Sequence, residues 1–137
     1  MSYEAEAQGF TNLGAMAKLV PDYQFVSVMV DENWASKNPA ALIAFLKAMR
    51  RGTDYMFAHP DESTELAAKE LRTSPAFARR ALEDTLSMDI MSRDLSLTDA
   101  SLRRVFGIMQ QAGALAREVP FDPAKFVNES YLAESRK

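Results

Sequence analysis

The stretch DENWASKNPAALIAFLKAMRRG, residues 31–52, contains the strongest folding signals in the chain. Asn38 has a short polar side chain suited to a helix N-cap, and Pro39 follows at the first helical position, where its missing N–H costs nothing. The apolar residues that recur at helical spacing are Leu42, Phe45, Leu46, Met49 and Met56. The pattern predicts a long helix with one buried face, ended by Pro60.

Further helices are predicted on both sides of this stretch from cap and stop signals. The start signals are Asp61 or Ser63, Ser74-Pro75, Ser96 or Thr98, and Asp122-Pro123. Gly9 and Gly113 are predicted to end two helices, because glycine accepts the left-handed conformation found there. The helix after Pro60 is predicted to carry Leu66, Ala67 and Leu71, and the polar tail AESRK is expected to fray.

Residues 23–30, YQFVSVMV, are the one segment with a strand pattern, because aromatic and β-branched residues alternate there. The predicted fold class is therefore mainly α, with five to six helices and one strand near 23–30. No partner strand is visible in the chain, and a lone strand exposes unpaired backbone groups. We therefore expect a homo-oligomer, formed through this strand and the apolar faces of the helices.

Composition excludes several classes of protein. With 137 residues, 47% hydrophobic and 26% charged, the chain can form the core of one domain. A net charge of −3 argues against a nucleic-acid partner, which would need a basic face. Cysteine is absent, so disulfides and thiolate nucleophiles are excluded. The N-terminal MSYEAEAQGF lacks the basic and apolar regions of a signal peptide.

No reactive site is predicted from the residues themselves. His59 is the single histidine, which makes metal sites and nucleophile–base pairs hard to build. Glu83 and Asp84 are adjacent and so point apart on a helix. Gly9 and Gly14 are too far apart for a phosphate-binding loop. We therefore predict no catalytic residues, no metal ligands and no cofactor, and interpret the protein as not an enzyme.

Two local features each allow two interpretations. Trp34 precedes the long helix and could stack on a ligand or pack as a plug over the helix N-terminus. The tripeptide His59-Pro60-Asp61 lies between two predicted helices and resembles the His-Pro-Asp of J-domain co-chaperones, although no aromatic-rich third helix follows. This second feature keeps open the alternative of a free-standing helical protein-interaction module.

The order of the elements resembles the C-terminal part of the periplasmic solute-binding proteins of ABC importers. The resemblance is to the NMT1/THI5-like branch, whose members take sulfonates, taurine, nitrate and thiamin-precursor pyrimidines. The residues that carry it are Tyr3-Glu4, the strand at 23–30, Trp34-Ala35, Asn38-Pro39, His59-Pro60-Asp61-Glu62 and the short closing helix at Asp122–Leu132.

The resemblance implies a parent with an α/β type II periplasmic-binding-protein fold. Residues 1–137 would be a single partial domain of it, with 1–22 as helix and linker from the second lobe, 23–30 as the hinge-crossing strand and 31–137 as the C-terminal helices. The implied function is the substrate-binding component of an ABC transporter for small anionic or heteroaromatic solutes. The intact parent would be periplasmic, and its protein partner would be an ABC permease.

The same resemblance implies that Tyr3 and Glu4, at the cleft-side end of the first helix, face a ligand. The other interpretation is that both residues form only the exposed start of a helix. Because the chain is less than half the length of such a protein, we expect it to bind solute poorly or not at all. Related enzymes of thiamin-precursor synthesis rely on a cysteine-rich motif and histidines, which this sequence lacks.

Overall fold

The computed structural model describes residues 2–88 and 90–137. It is mainly helical, as the sequence predicts, and no β-strand occurs within the described residues. The α-helices are α1 (Ser2–Ala7), α2 (Met16–Leu19), α3 (Glu32–Lys37), α4 (Pro39–Ala58), α5 (Pro60–Glu70), α6 (Pro75–Ser87), α7 (Asp99–Gln111) and α8 (Ser130–Glu134). A 3-10 turn spans Pro123–Lys125. The helices outnumber the predicted five to six because short segments such as α2 and α3 carry little periodic signal.

The predicted starts of α6 and α7 are confirmed. Oγ of Ser74 accepts a hydrogen bond from the Phe77 backbone N–H at 3.2 Å, and Pro75 is the first residue of α6. Thr98, and not Ser96, caps α7, with Oγ1 accepting from Ser101 N–H at 3.0 Å. In each case the side chain satisfies one of the backbone donors that the first helical turn leaves unpaired.

The start of α4 differs in one respect from the expected cap. Pro39 is the first helical residue, and the carbonyl of Asn38 accepts from Leu42 N–H at 3.2 Å. The side-chain amide of Asn38, however, donates to the Trp34 carbonyl at 2.9 Å. The side chain therefore closes the preceding α3, while Asp31 caps the start of α3 by accepting from Trp34 N–H at 2.8 Å.

Within the described residues, α1, α5 and α7 end in the same hydrogen-bonded turn. Gly9 after α1 and Gly113 after α7 have φ of +89° and +72°, which confirms both predicted stops. The third turn, after α5, places Arg72 at φ +52°. Its N–H donates to the Lys69 carbonyl at 3.3 Å, and the next N–H, of Thr73, donates to the Ala68 carbonyl at 3.1 Å. This pair of bonds is the Schellman pattern, here built around a residue that has a Cβ.

The predicted strand at 23–30 is wrong for this structure: these residues have neither helical nor strand structure. A strand is held by a ladder of backbone hydrogen bonds to a neighbour, and the described part of the chain contains no second strand. Apolar side chains of the segment remain exposed, with Phe25 at 84% and Met29 at 89%. The residue pattern indicates a preference for extended backbone but cannot supply a partner.

The described chain divides into two compact units. Unit 1 comprises Met1–Pro21 and Gly52–Ser92, and unit 2 comprises Asp22–Arg51 and Arg93–Lys137. The core of unit 2 is Ala35, Leu42, Leu46 and Leu132, with Leu95 and Tyr131 packed against it. Of the predicted α4 face, Leu42 and Leu46 are buried, whereas the prediction for Phe45 is wrong because half of that side chain is exposed.

In unit 1, α5 packs against α6. The buried residues of these two helices are small: Thr64 and Ala68 on α5, and Ala78 on α6. The larger apolar side chains, those of Leu66 and Leu71, are mostly exposed. Small side chains let two helices approach closely, so the contact uses a different face from the one with the largest apolar residues.

The expected fraying of the C-terminal tail is also wrong. Ser135 is 1% exposed, and its carbonyl accepts a hydrogen bond from Nη1 of Arg50 at 3.1 Å. Arg136 reaches Oδ2 of Asp94 at 2.9 Å. The closing helix expected from residue 122 onward is divided into the 3-10 turn and α8, and α8 places Leu132 in the core of unit 2.

None of the helices described in this structure is both long enough and apolar enough to cross a membrane.

Candidate functional site

The two residues predicted to face a ligand, Tyr3 and Glu4, lie in the first turn of α1 within unit 1. The Tyr3 hydroxyl donates a hydrogen bond to Oδ2 of Asp84 on α6. The guanidinium carbon of Arg80, also on α6, lies 4.0 Å from the centroid of the Tyr3 ring. Arg80 and Asp84 are four residues apart, so they share one face of the helix. That face holds both the ring and the hydroxyl of Tyr3.

Glu4 is held by the turn that follows α5. Oγ1 of Thr73 donates to Oε1 of Glu4. Thr73 occupies the second residue of the Schellman turn after α5, next to Arg72 with its positive φ. The local backbone conformation at the end of α5 therefore decides where the Thr73 hydroxyl lies, and through it where the Glu4 carboxylate is held.

Glu6 adds a second carboxylate on the same short helix. Its Oε2 lies 3.8 Å from Nη2 of Arg80, and its Oε1 accepts a hydrogen bond from Nδ2 of Asn12. The Arg80 side chain is 55% exposed, so this ion pair is solvent-screened and contributes about 0–1 kcal/mol. We call the complete set the α1 cluster. Its members are Tyr3, Glu4, Glu6, Thr73, Arg80 and Asp84.

The hydrogen bond to the Asp84 carboxylate raises the pKa of Tyr3 above its ordinary value, and partial burial and the negative charge of Asp84 act in the same direction. The positive charge of Arg80 opposes them. The Tyr3 phenol is therefore neutral at physiological pH and uses its one proton to bond Asp84. Its oxygen can still accept a hydrogen bond.

Sequence reasoning found Tyr3 and Glu4 but missed their partners. Arg80 looked like part of a solvated Arg-Arg pair, and Asp84 like one of two carboxylates that point apart. A usable signal was present, because Arg80 and Asp84 stand four residues apart on a predicted helix and so share a face. Thr73 had no such signal, since its position depends on the turn after α5.

His59 lies at the junction of α4 and α5. Its ring stacks on Tyr55, with 4.3 Å between the centroids, and its Nδ1 lies 3.9 Å from Oε1 of Glu62. The Tyr55 hydroxyl donates to the other oxygen of Glu62, and this bond raises the pKa of Tyr55. These side chains are exposed, and they contact one another at the junction of the two helices.

Trp34 belongs to α3 and is 45% exposed. The buried residue of α3 is its neighbour Ala35, so Trp34 is not a fully packed plug. Within residues 2–88 and 90–137, no group of three or more histidine or acidic side chains is arranged to hold a metal ion.

Residues 3–63 match the family model described as NMT1/THI5 like. The matched range is less than half of the 137 residues and contains Tyr3, Glu4, the 23–30 segment, α3 and α4. The match indicates a class of solute-binding proteins associated with ABC transport. The resemblance to the NMT1/THI5-like branch is confirmed over residues 3–63. No curated protein and no solved structure matches the chain.

Proposed function

We propose that this chain is the C-terminal segment of the substrate-binding component of an ABC importer. The observation that carries the proposal is the family match over residues 3–63, which begins at the two residues expected to face a ligand. The parent protein would be periplasmic, would deliver a small solute to an ABC permease and would not be an enzyme. The resemblance implies solutes of the sulfonate, nitrate and taurine type, or heteroaromatic ones.

The ligand-facing residues of this proposal are Tyr3 and Glu4. Both are half-buried against α6 and the turn after α5, and both present oxygen atoms at one end of a short helix. A solute-binding protein closes two lobes around its ligand. The contacts of α1 would therefore form one part of a wall, and the isolated chain would bind the natural solute weakly.

We also propose that the isolated chain self-associates through residues 23–30 and the apolar helix faces. The exposed side chains of Phe25 and Met29 support this. Neighbouring apolar side chains that are exposed to water often mark a surface that binds another protein. Light scattering at increasing protein concentration tests the idea. A monodisperse monomer at the highest concentration would contradict it.

A second candidate function is a free-standing helical protein-interaction module. It is favoured by the exposed apolar residues of unit 1, among them Phe10, Leu13 and Met16, which lie on and beside the four-residue α2. The family match over residues 3–63 does not support this second function, so we rank it below the importer component.

The intact mass of the protein expressed from its native gene separates the two candidates. A product more than twice the length of this chain supports the importer component, and solutes should then be screened against that product by thermal shift. A product of 15.3 kDa supports the interaction module and makes a partner pull-down the next experiment.

A further inference from the structure

The 23–30 segment of unit 2 has a row of unused backbone hydrogen-bonding groups. It contains no turn, bend or positive φ, so nothing in its local conformation opposes an extended strand. Within the described chain its backbone amides donate no hydrogen bond, and the Val26 carbonyl is the one carbonyl of the segment that accepts one. Such a row of unpaired groups is a template on which another strand can pair.

Both ends of the segment are fixed by the structure. Before it, Pro21 and Asp22 form a turn, in which Asp22 has a φ of +58°. After it, the Asp31 side chain caps α3. The length of backbone that can pair as a strand is therefore the eight residues between the turn and the cap.

The two edges of this segment are not equivalent. In an extended strand, the backbone groups of successive residues point to opposite edges. The odd edge consists of the N–H and C=O groups of Tyr23, Phe25, Ser27 and Met29, and the even edge of those of Gln24, Val26, Val28 and Val30. On the even edge, Nε2 of Gln24 donates to the Val26 carbonyl, and Oε1 of Gln24 accepts from Oγ of the buried Ser101 at 3.4 Å. The odd edge has no such bond within the described chain, so it is the edge that is open to a partner.

The side chains of the segment suit pairing with a second copy of this chain. None of the eight is charged, so two copies can pair without like charges facing one another. In an extended strand, Phe25 and Met29 would lie on one face and Val26 on the other, and all three side chains are mostly exposed. A strand that is apolar on both faces is typical of a position inside a larger sheet.

We propose that the odd edge pairs with the odd edge of a second copy, antiparallel and centred on Val26. In this register Tyr23 of each copy faces Met29 of the other, and Phe25 faces Ser27. The four facing pairs would form about eight backbone hydrogen bonds, two for each pair. A shift by two residues in either direction loses a facing pair, because the turn and the α3 cap lie just beyond the segment. Since each copy uses one edge, the pairing closes as a two-fold dimer and does not continue into a filament.

The inference rests on the proposed self-association through residues 23–30 and deepens it by naming the edge, the register and the closed dimer. All of the residues that carry it belong to unit 2. A ribbon of two strands is only marginally stable in water, so we expect the dimer at high protein concentration and in exchange with the monomer.

Single-cysteine cross-linking tests the register, because the chain has no cysteine of its own. In Val26→Cys the two cysteines would face each other across the two-fold axis with their Cα atoms about 4.5 Å apart, a separation that a disulfide can span. Val28→Cys is the matched control, since it is the same substitution on the same face. Its two cysteines would lie about 13 Å apart, beyond the reach of a disulfide. Under mild oxidation, Val26→Cys should form the linked dimer at least about tenfold faster than Val28→Cys.

A pair of proline substitutions tests the edge. Ser27→Pro removes an N–H from the odd edge, whereas Val28→Pro removes one from the even edge. In light scattering, Ser27→Pro should weaken dimerisation about tenfold, because the two copies together lose two hydrogen bonds, and Val28→Pro should have little effect. The fluorescence of Trp34, which belongs to unit 2, checks that this unit stays folded in every variant.

Three results would overturn the inference in different ways. Equal rates of cross-linking in Val26→Cys and Val28→Cys would reject the register, and equal weakening by the two prolines would reject the odd edge. Either result leaves the proposed self-association standing if the unchanged protein still associates. A monomer at the highest concentration in light scattering would reject self-association itself. The importer assignment is tested separately by the mass of the native gene product.

Discussion

The first and last helices of the described chain are similar in length but are held by different forces. α1 has six residues, of which none is fully buried, and its contacts in unit 1 are polar: Tyr3 with Asp84, and Glu4 with Thr73. α8 has five residues and buries Leu132 in the core of unit 2. Isolated helices this short are unstable in water, so each depends on its contacts.

The two kinds of contact differ in strength. Full burial of a leucine side chain contributes about 1.5–3 kcal/mol, whereas a partly exposed hydrogen bond contributes about 0.5–1.5 kcal/mol. α8 is therefore part of the cooperative core of its unit. We expect α1 to belong to the low-stability end of its unit and to open locally without unfolding it. We therefore expect the helix with the candidate ligand residues to open more readily than α8.

The strongest test of this comparison is Leu132→Ala, which would make α8 resemble α1 by removing its buried side chain. We expect unit 2 to lose about 2–4 kcal/mol of unfolding free energy, from lost apolar burial and the cavity left behind. Trp34, the single tryptophan, belongs to unit 2, so its fluorescence during urea unfolding reports the loss.

Leu13→Ala is the control, because Leu13 is 90% exposed and its loss should change the unfolding free energy by under about 0.5 kcal/mol. Equal effects would contradict the comparison.

A smaller effect is expected from Arg50→Ala. Nη1 of Arg50 donates to the carbonyl of the buried Ser135, a charge-assisted hydrogen bond that fixes the residue after α8. Its removal leaves that carbonyl without this donor and should cost about 1–2 kcal/mol, measured by the same fluorescence. Arg51→Ala, the adjacent exposed residue, removes the same charge and should have little effect. If Arg51→Ala were equally destabilising, net charge and not the bond to Ser135 would be the cause.

A substitution in unit 1 should sharpen the comparison by stabilising the turn that holds α1. Arg72 has a φ of +52°. This left-handed conformation costs a residue with a Cβ about 1 kcal/mol relative to glycine. Arg72→Gly should therefore stabilise α5 and the turn after it by about 1 kcal/mol. Amide hydrogen exchange of α5 should slow accordingly. Gly113→Ala introduces the opposite change at φ +72° and should destabilise the end of α7. Faster exchange in Arg72→Gly would contradict this explanation.

The sequence predicted those parts of the fold that depend on local chemistry. The helix starts at Ser74 and Thr98 and the stops at Gly9 and Gly113 are properties of a few adjacent residues, and all are confirmed. The strand at 23–30 failed because strand formation depends on a partner outside the segment.

Burial on α5 could not be predicted from its own residues, because packing was decided by the neighbouring helix. Leu66 and Leu71 have the larger apolar side chains, but the contact of α5 with α6 buries Thr64 and Ala68. For the candidate site, Tyr3 and Glu4 could be proposed from the family resemblance. Thr73 could not, because its position follows from the three-dimensional turn after α5.

The smallest and most specific effect concerns the polar contact that distinguishes α1 from α8. The Asp84 carboxylate raises the pKa of Tyr3 above its usual value of about 10, so this contact stabilises the fold below that pH and is lost as the pH rises through the raised pKa. In Asp84→Asn the pKa of Tyr3 should fall toward its usual value, because the negative acceptor is gone.

The tyrosinate absorbance of each variant, minus that of the same variant carrying Tyr3→Phe, isolates Tyr3 from the other three tyrosines. Glu83→Gln removes the same charge from the adjacent position and should leave the titration of Tyr3 nearly unchanged. If Tyr3 titrated identically in the unchanged protein and in Asp84→Asn, the hydrogen bond to α6 would not hold α1, and the comparison with α8 would lose its physical basis.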